Sequence, residues 1–488
     1  MAATTTSAVK VGADIDRRSN TPVSWTSSRM ARGVGRGFGV LLLVVLSSAV
    51  SSASSPDLTA FTATLDAMVA QERVGGGWAF APGPTGRPHA YTEVMQIAEW
   101  LGSRIGVAQW DLLVVRSPGT PAAGSLLLDG HRLTGNPAYL HAARRAGEIL
   151  LATQLPSGGW FSEVPVEGGR MPGWFPVVAV RTTLDDDVTP GAARFLLALS
   201  ERTGDARFRD GAERAIDLLL AAQLPSGAWP HVWRPDWLRA VRASREDRPS
   251  LNDGLTPIII ETLLAAAEPL GSPELVEAAR RGGEWLLSRQ RLPPRAGWAQ
   301  QYDDAGEPAG MRPFEPPALA SWETRHAVDA LDALARATGE ARWCVAVRAA
   351  SAWLRGAAIR PGCWARFYGL DDGQPRFFDA EGRRVTSPAD ARPGYDWQGD
   401  FGIAALLRRV GMWEGGAVPA PLPGDPGACE GVPDPFDQAP GPRGAIARAG
   451  RQLAVVAPPP VSPCAASTVH AAAPAPAVAA GASARDPG

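Results

Sequence analysis

Three acidic stations recur in this chain at a similar distance ahead of a tryptophan. Asp185, which opens the triplet Asp185-Asp186-Asp187, stands 44 residues before Trp229; Asp253, preceded by Asn252, stands 45 before Trp298; Glu323 stands 41 before Trp364. An apolar run at helical spacing accompanies each of them, so stacking the segments side by side would bring the three carboxylates to one rim. Clustered carboxylates repel one another unless a cation sits among them, and hard oxygen ligands of this kind suit Ca²⁺. A single Asp before Thr-Pro is also a good helix N-cap, worth about 1 kcal/mol. A triplet followed by Asn252-Asp253 exceeds what caps require, and capping and metal binding both stay open.

The basic residues form a second set. Arg366, Arg376, Arg383, Arg384 and Arg392 fall within 363–397, where Phe367-Tyr368 and Phe377-Phe378 bracket Asp371-Asp372-Gly373. Aromatic pairs around such turn residues predict a small β-hairpin region. Five guanidiniums in so short a span suit an anion site, although several will simply be solvated. The stretch 299–319 is loop by composition, and its Gln300, Asp303, Arg312 and Glu315 are either ligand contacts or ordinary loop polarity.

These residues must be positioned by a repeat. Thr203–Trp229 reads TGDARFRDGAERAIDLLLAAQLPSGAW: a helical run with Ala215, Leu218, Leu219 and Ala222 on one face, a stop at Leu-Pro-Ser-Gly, then a Trp. Similar modules end at Trp160, Trp298 and Trp364, and the four tryptophans are 69, 69 and 66 residues apart. A second apolar run (195–199, 257–266, 327–335) precedes each of the last three modules. The repeating unit is therefore a helical hairpin, and an array of such hairpins makes an all-α-dominated chain, an α/α toroid or an open solenoid.

With 488 residues, 45% hydrophobic and 20% charged, the chain is long enough for a sizeable core. Its net charge of −2 gives no reason to expect nucleic acid or an anionic membrane as partner, and a monomer is expected. From Met30 the order is basic (Arg32, Arg36), apolar (Phe38–Leu46), then small residues through Ala53, the three regions of a signal peptide with an internal start at Met30. The apolar run is too short to span a membrane. Secretion or export to the periplasm follows as an expectation. Residues 54–415 form the expected helical domain. Residues 416–488, rich in Pro, Ala and Gly, are expected to be a disordered tail. Cys344 and Cys363 share a module and could pair, free thiols being the simpler expectation, while Cys429 and Cys464 fall in the tail.

The stretches TTLDDDVTPGAARFLLALSERTGDARFRDGAERAIDLLLAAQLPSGAWP, LNDGLTPIIIETLL, GWAQQYDDAGEPAGMRPFEPPAL, WARFYGL and GYDW resemble, in order, the pectate lyases of the α/α-toroid type (polysaccharide lyase family 10), over roughly residues 135–400. The resemblance implies a secreted, Ca²⁺-assisted enzyme that cleaves polygalacturonate by β-elimination. It implies metal binding by Asp185, Asp186 and Asp253, with Asp186 where the family usually has Asn, and a grip on substrate carboxylates by Arg312, Arg366 and Arg392.

One position departs from the pattern. Counted without a gap from Arg366, the site of the family's catalytic Arg falls on Ala380, which can remove no proton. Arg376, Arg383 and Arg384 are the nearby candidate substitutes for the base. The alternatives are a non-catalytic protein that binds uronides, and a helical-toroid glycoside hydrolase using two of Asp185, Asp253 and Glu323 as acid and base.

Overall fold

The computed structural model describes residues 55–72, 77–78, 111–166, 168–173, 175–178, 181–241, 244–412, 442–457 and 459–465. All lie in the compact unit Ala53–Gly488. The expected signal peptide, at 30–53, lies outside them.

Helix α1 (Ser55–Ala70) is followed by four hairpins: α2 (Thr120–Thr134) with α3 (Pro137–Ala152), α4 (Val188–Thr203) with α5 (Ala206–Ala221), α6 (Leu255–Leu270) with α7 (Pro273–Arg289), and α8 (Ser321–Thr338) with α9 (Ala341–Gly356). The hairpin turns have a local cause. Gly135, Gly204, Gly271 and Gly339 end the first helices in the left-handed region, with φ between 64 and 72°, and Asn136 and Asp205 then cap the next helices through Ala138 N and Arg207 N. The first helices α2, α4, α6 and α8 pack on one another in succession as an inner row. Burial shows the difference: in α4 the buried residues extend around the helix, whereas in α5 they follow one stripe of Phe208, Gly211, Ala212, Ala215, Ile216, Leu218 and Leu219.

The recurring Trp latches each hairpin to the next. Trp78, Trp160, Trp229, Trp298 and Trp364 are all at most 1% exposed. Each indole Nε1 donates to a carbonyl at the end of the preceding helix: Met68, Leu150, Leu219, Leu286 and Leu354, at 2.7–2.9 Å. In the first four, the Trp backbone N–H also donates to a Thr hydroxyl of the following inner helix: Thr120, Thr189, Thr256 and Thr324. Gln154 and Gln223, in the repeated Gln-Leu-Pro, add a bridge by donating to Gly211 O and Ala278 O of the next hairpin. Gly227 shows why the turn keeps glycine: its φ is 96°, and a Cβ would meet Arg281 O at 2.3 Å.

The C-terminal segment closes the array. After the short helix α10 (Ile403–Arg409), helix α11 (Pro442–Val456) packs against α1 and α2, burying Ala445, Ile446 and Ala449. The chain then reaches the other end of the row, where Ser462 Oγ donates to Asp332 of α8 and Cys464 is disulfide-bonded to Cys344 of α9. This corrects two expectations. Residues 442–456 are helical because Ala445, Ile446 and Ala449 share a small apolar face, which average composition conceals. Cys344 is covalently paired, with Cys464, and Cys363 is disulfide-bonded too. The result is an α/α toroid, the architecture expected from the repeat.

Strands β1 (Asp111–Val114) and β2 (Glu163–Val166) pair antiparallel, as do β3 (Thr182–Thr183) and β4 (Val232–Trp233). The largest sheet has the order β5 (Leu319–Ala320), β7 (Phe367–Tyr368), β8 (Pro375–Phe378), β9 (Arg384–Val385), all antiparallel. β6 (Trp364–Ala365) pairs with β10 (Gln398–Gly399). The expected hairpin region is thus present, and β5 attaches it to the start of α8.

Candidate metal and anion site

The acidic stations lie where the inner helices α4, α6 and α8 begin. The aspartates of the first two do not cap: neither α4 nor α6 receives a side-chain hydrogen bond at its N-cap. Asp186, Asp187 and Asp253 instead hold left-handed backbone, with φ of 55, 55 and 48°, and among the described residues only one other non-glycine, Phe401, does so. Asp tolerates this conformation better than most residues, but it still costs free energy that the surrounding fold must offset. The twist separates the triplet's roles. Asp187 turns to Arg194 of α4, at 2.7 Å. Asp185 and Asp186 join Asp253, one oxygen from each lying within 4.8 Å of the others.

The carboxylates are oriented by buried neighbours. Asp185 Oδ2 accepts from His231 Nδ1 at 2.7 Å and from Asn252 Nδ2 at 3.0 Å. Asn252 also donates to Asp253 Oδ2 at 2.7 Å and accepts from Gln300 Nε2. Burial disfavours the charged form of His231, but Asp185 outweighs it and the imidazole pKa is raised. Asp186 has no such partner. Burial first, then repulsion from Asp185 and Asp253, pushes its carboxyl up to about 7, against a smaller pull from Arg116. Three hard oxygen donors at this spacing, one of them destabilised as an anion by the other two, fit a divalent cation such as Ca²⁺.

Arg366 lies beside this cluster, only 4% exposed. Its Nη2 donates to Asp253 Oδ1 at 3.3 Å and to Glu323 Oε1 at 3.0 Å, and its guanidinium carbon is 4.7 Å from the Trp322 ring centre and 5.0 Å from that of Tyr395. Burial works against its charge, yet Glu323, Tyr395 and Asp253 raise its pKa further above the usual arginine range. Glu323 is fully buried, which pushes its carboxyl up to about 7 against the opposing pull of Arg366. It lies in the first turn of α8 and is outside the three-oxygen cluster. The third acidic station therefore serves a guanidinium rather than the carboxylate trio.

Arg312 and Arg392 flank the same aromatic group. Arg312 pairs with the buried Glu315 and lies 5.1 Å from the centre of Phe314, while Arg392 lies 4.2 Å from that ring. Tyr395 connects them, donating from its hydroxyl to Glu315 Oε1 at 3.0 Å and stacking on Phe367. Gln300, Arg312 and Glu315 thus belong to the site, whereas Asp303 turns back on its own loop, accepting from Ala305 N and Glu307 N.

The remaining arginines are on the outer hairpin. Arg376 is held by both oxygens of Asp372. Arg383 is tied to Asp379 and Glu381. Arg384 is exposed on β9, within electrostatic reach of Asp372. Ala380 is exposed in the β8–β9 turn, where Asp379 Oδ1 accepts from Glu381 N and Arg383 N. That turn abuts the Arg312 loop, since a Cβ on Gly382 would meet Pro313 O at 2.4 Å. His231, Tyr395 and Trp322 are site residues that sequence reasoning did not name, and Asn252 was read only as the neighbour of Asp253. His231 had a usable signal, as it follows Trp229-Pro230 and precedes a short extended segment.

Residues 165–361 match the family described as pectic acid lyase, a span that takes in the acidic cluster, Arg312 and Glu323. The match covers about two fifths of the chain. A search of curated proteins returned no match. Among solved structures, the fold is similar to that of a mutant of family 10 polysaccharide lyase from Cellvibrio cellulosa, in complex with trigalaturonic acid, at 20% identity over 60% of this chain and 98% of that one, with a TM-score of 0.47. It is also similar to the family 10 polysaccharide lyase from Cellvibrio cellulosa, at 21% identity over 62% and 99% with a TM-score of 0.47. Cellobiose 2-epimerase from Spirochaeta thermophila shares the likeness at 16% identity over 66% and 76%, with a TM-score of 0.45.

Proposed function

We propose that this protein acts on polygalacturonate, or a related acidic polysaccharide, by Ca²⁺-assisted β-elimination. The observation that carries the reading is the cluster of Asp185, Asp186 and Asp253 oxygens within 4.8 Å, set against the buried guanidinium of Arg366. A bound Ca²⁺ would draw charge from the uronate carboxylate and acidify the proton on C5. Arg312, Arg366 and Arg392 are the proposed contacts to substrate carboxylates, and they stabilise the negative charge that develops as the proton leaves. The C5–H electron pair becomes the C4–C5 double bond, the C4–O4 bond breaks, and the departing oxygen takes a proton.

The base is proposed among Arg376, Arg383 and Arg384. Arg384 is the first to test, because ion pairs hold the other two. The Cys344–Cys464 disulfide supports an oxidising compartment outside the cytosol, in line with the signal-peptide pattern. No helix among the described residues is long and apolar enough to cross a membrane.

Ala380, exposed in its turn, favours a second reading: a relative that binds oligogalacturonate with Ca²⁺ and does not cut it. One experiment separates them. Purified protein is incubated with polygalacturonate, with Ca²⁺ or with chelator, and the ultraviolet absorbance of an unsaturated uronide is followed. A chelator-sensitive rise supports the lyase; a flat trace with Ca²⁺-dependent binding of the polymer supports the binding protein. Reducing ends released without that absorbance would instead point to hydrolysis.

A further inference from the structure

We infer that Glu323 is a positioning residue that anchors the Arg366 guanidinium against the charge of a cation held by Asp185, Asp186 and Asp253. The inference rests on the uronide-binding reading above. Arg366 and the carboxylate cluster share one group: Asp253 contributes an oxygen to the trio and also accepts from Arg366 Nη2 at 3.3 Å. A divalent ion at the cluster would compete for that carboxylate and repel the guanidinium. Left with Asp253 alone, Arg366 would be pushed away as the cation arrived.

Glu323 prevents this. Its Oε1 accepts from the same Nη2 at 3.0 Å, it is fully buried, and it takes no part in the trio, so it stays with Arg366 when the cluster is filled. The first turn of α8 also supplies Trp322, one of the two rings that contact the guanidinium, the other being Tyr395. Charge and plane are therefore set from a single helical turn. Polar capacity remains for a ligand: among the described residues, Arg366 Nε, Glu323 Oε2 and Gln300 Oε1 are buried without hydrogen-bond partners. An unpaired N–H on a guanidinium held in place suits a substrate carboxylate.

The test is a double-mutant cycle on the full chain at pH 8, where Glu323 is ionised, with E323Q, R366A and the double variant titrated with trigalacturonate by calorimetry, in Ca²⁺ and in chelator. E323Q is expected to weaken binding about tenfold in Ca²⁺, the effect of losing one charge-assisted contact, and much less in chelator. On the R366A background it should change nothing. E323D, which keeps the charge at shorter reach, should recover part of the loss, and it carries the test if E323Q does not fold. An equal loss on both backgrounds, or with and without Ca²⁺, would indicate a merely structural residue and overturn the inference. Wild-type binding with unaltered E323Q overturns the inference alone, whereas a wild type that takes up Ca²⁺ yet ignores the trisaccharide overturns the functional reading and this inference with it.

Discussion

Asn252 Nδ2 donates to Asp185 Oδ2 at 3.0 Å, although the two residues are 67 positions apart in the chain. The same amide reaches Asp253, so one buried side chain joins the acidic loops ahead of α4 and α6. The distance between those loops is set by hairpin packing, and the amide turns that packing into a fixed spacing of carboxylates.

The first prediction concerns that spacing. Asp253→Asn keeps the side-chain shape and removes one of three anionic oxygen donors. Ca²⁺ affinity measured by calorimetry should fall at least tenfold, a loss of roughly 1.4 kcal/mol or more, while the far-ultraviolet helical signal stays unchanged. Unaltered affinity would remove this cluster as the metal site.

The second concerns pH. Asp186 and Glu323 are both pushed up to about 7, by burial first in each case, and Glu261 is raised likewise, with Asp329 adding to its burial. Each binds a proton more tightly folded than unfolded. These three carboxyls therefore hold more protons in the folded, metal-free protein than in the unfolded chain between about pH 4 and 7, and the stability they contribute falls as pH rises through that window. Ca²⁺ takes the ionised cluster, so the melting temperature gained on adding it should widen from pH 5 to pH 8. Asp186→Asn should raise the metal-free melting temperature at pH 8. A Ca²⁺ effect that is flat with pH would contradict the assignment.

Much of this arrangement was legible in the sequence because it repeats. The Trp spacing predicted stacked hairpins, and stacking brought Asp185 and Asp253 to one rim without any knowledge of their contacts. Glu323 shows the limit of that argument. Its place in the repeat put it on the rim, but only side-chain packing shows that it turns to Arg366, because a carboxylate within the first helical turn points differently from one in the preceding loop. Trp78 was missed as a fifth copy of the latch because it stands 82 residues before Trp160, outside the spacing of 66–69 that the other tryptophans keep. The role of α11 was hidden by composition, since two alanines and one isoleucine at helical spacing contribute little to an average over a Pro/Ala-rich segment.

The third prediction addresses the missing base. Ala380 is exposed and its turn is fastened by Asp379, so an arginine there meets no packing obstacle. Ala380→Arg should raise the rate of unsaturated-product formation at least tenfold, within the range a positioned proton acceptor contributes, and leave binding of trigalacturonate within about twofold. If binding persists and the rate does not move, the position assigned to the base is wrong.

The fourth concerns closure of the ring. Cys344 and Cys464 are 120 residues apart in sequence, and their bond fixes the segment after α11 to α9. Crosslinks over long loops stabilise mainly by restricting the unfolded chain, by about 2–4 kcal/mol. Cys344→Ser should lower the melting temperature by several degrees. The carboxylate cluster sits in the loops ahead of α4 and α6, whereas Cys344 is on α9, so Ca²⁺ affinity at 25 °C should stay close to that of the wild type. A matching loss of Ca²⁺ affinity would mean that ring closure, and not hairpin packing alone, sets the distance between Asp185 and Asp253. An unchanged melting temperature would mean that Ser462 and the α11 contacts hold the segment without the bond.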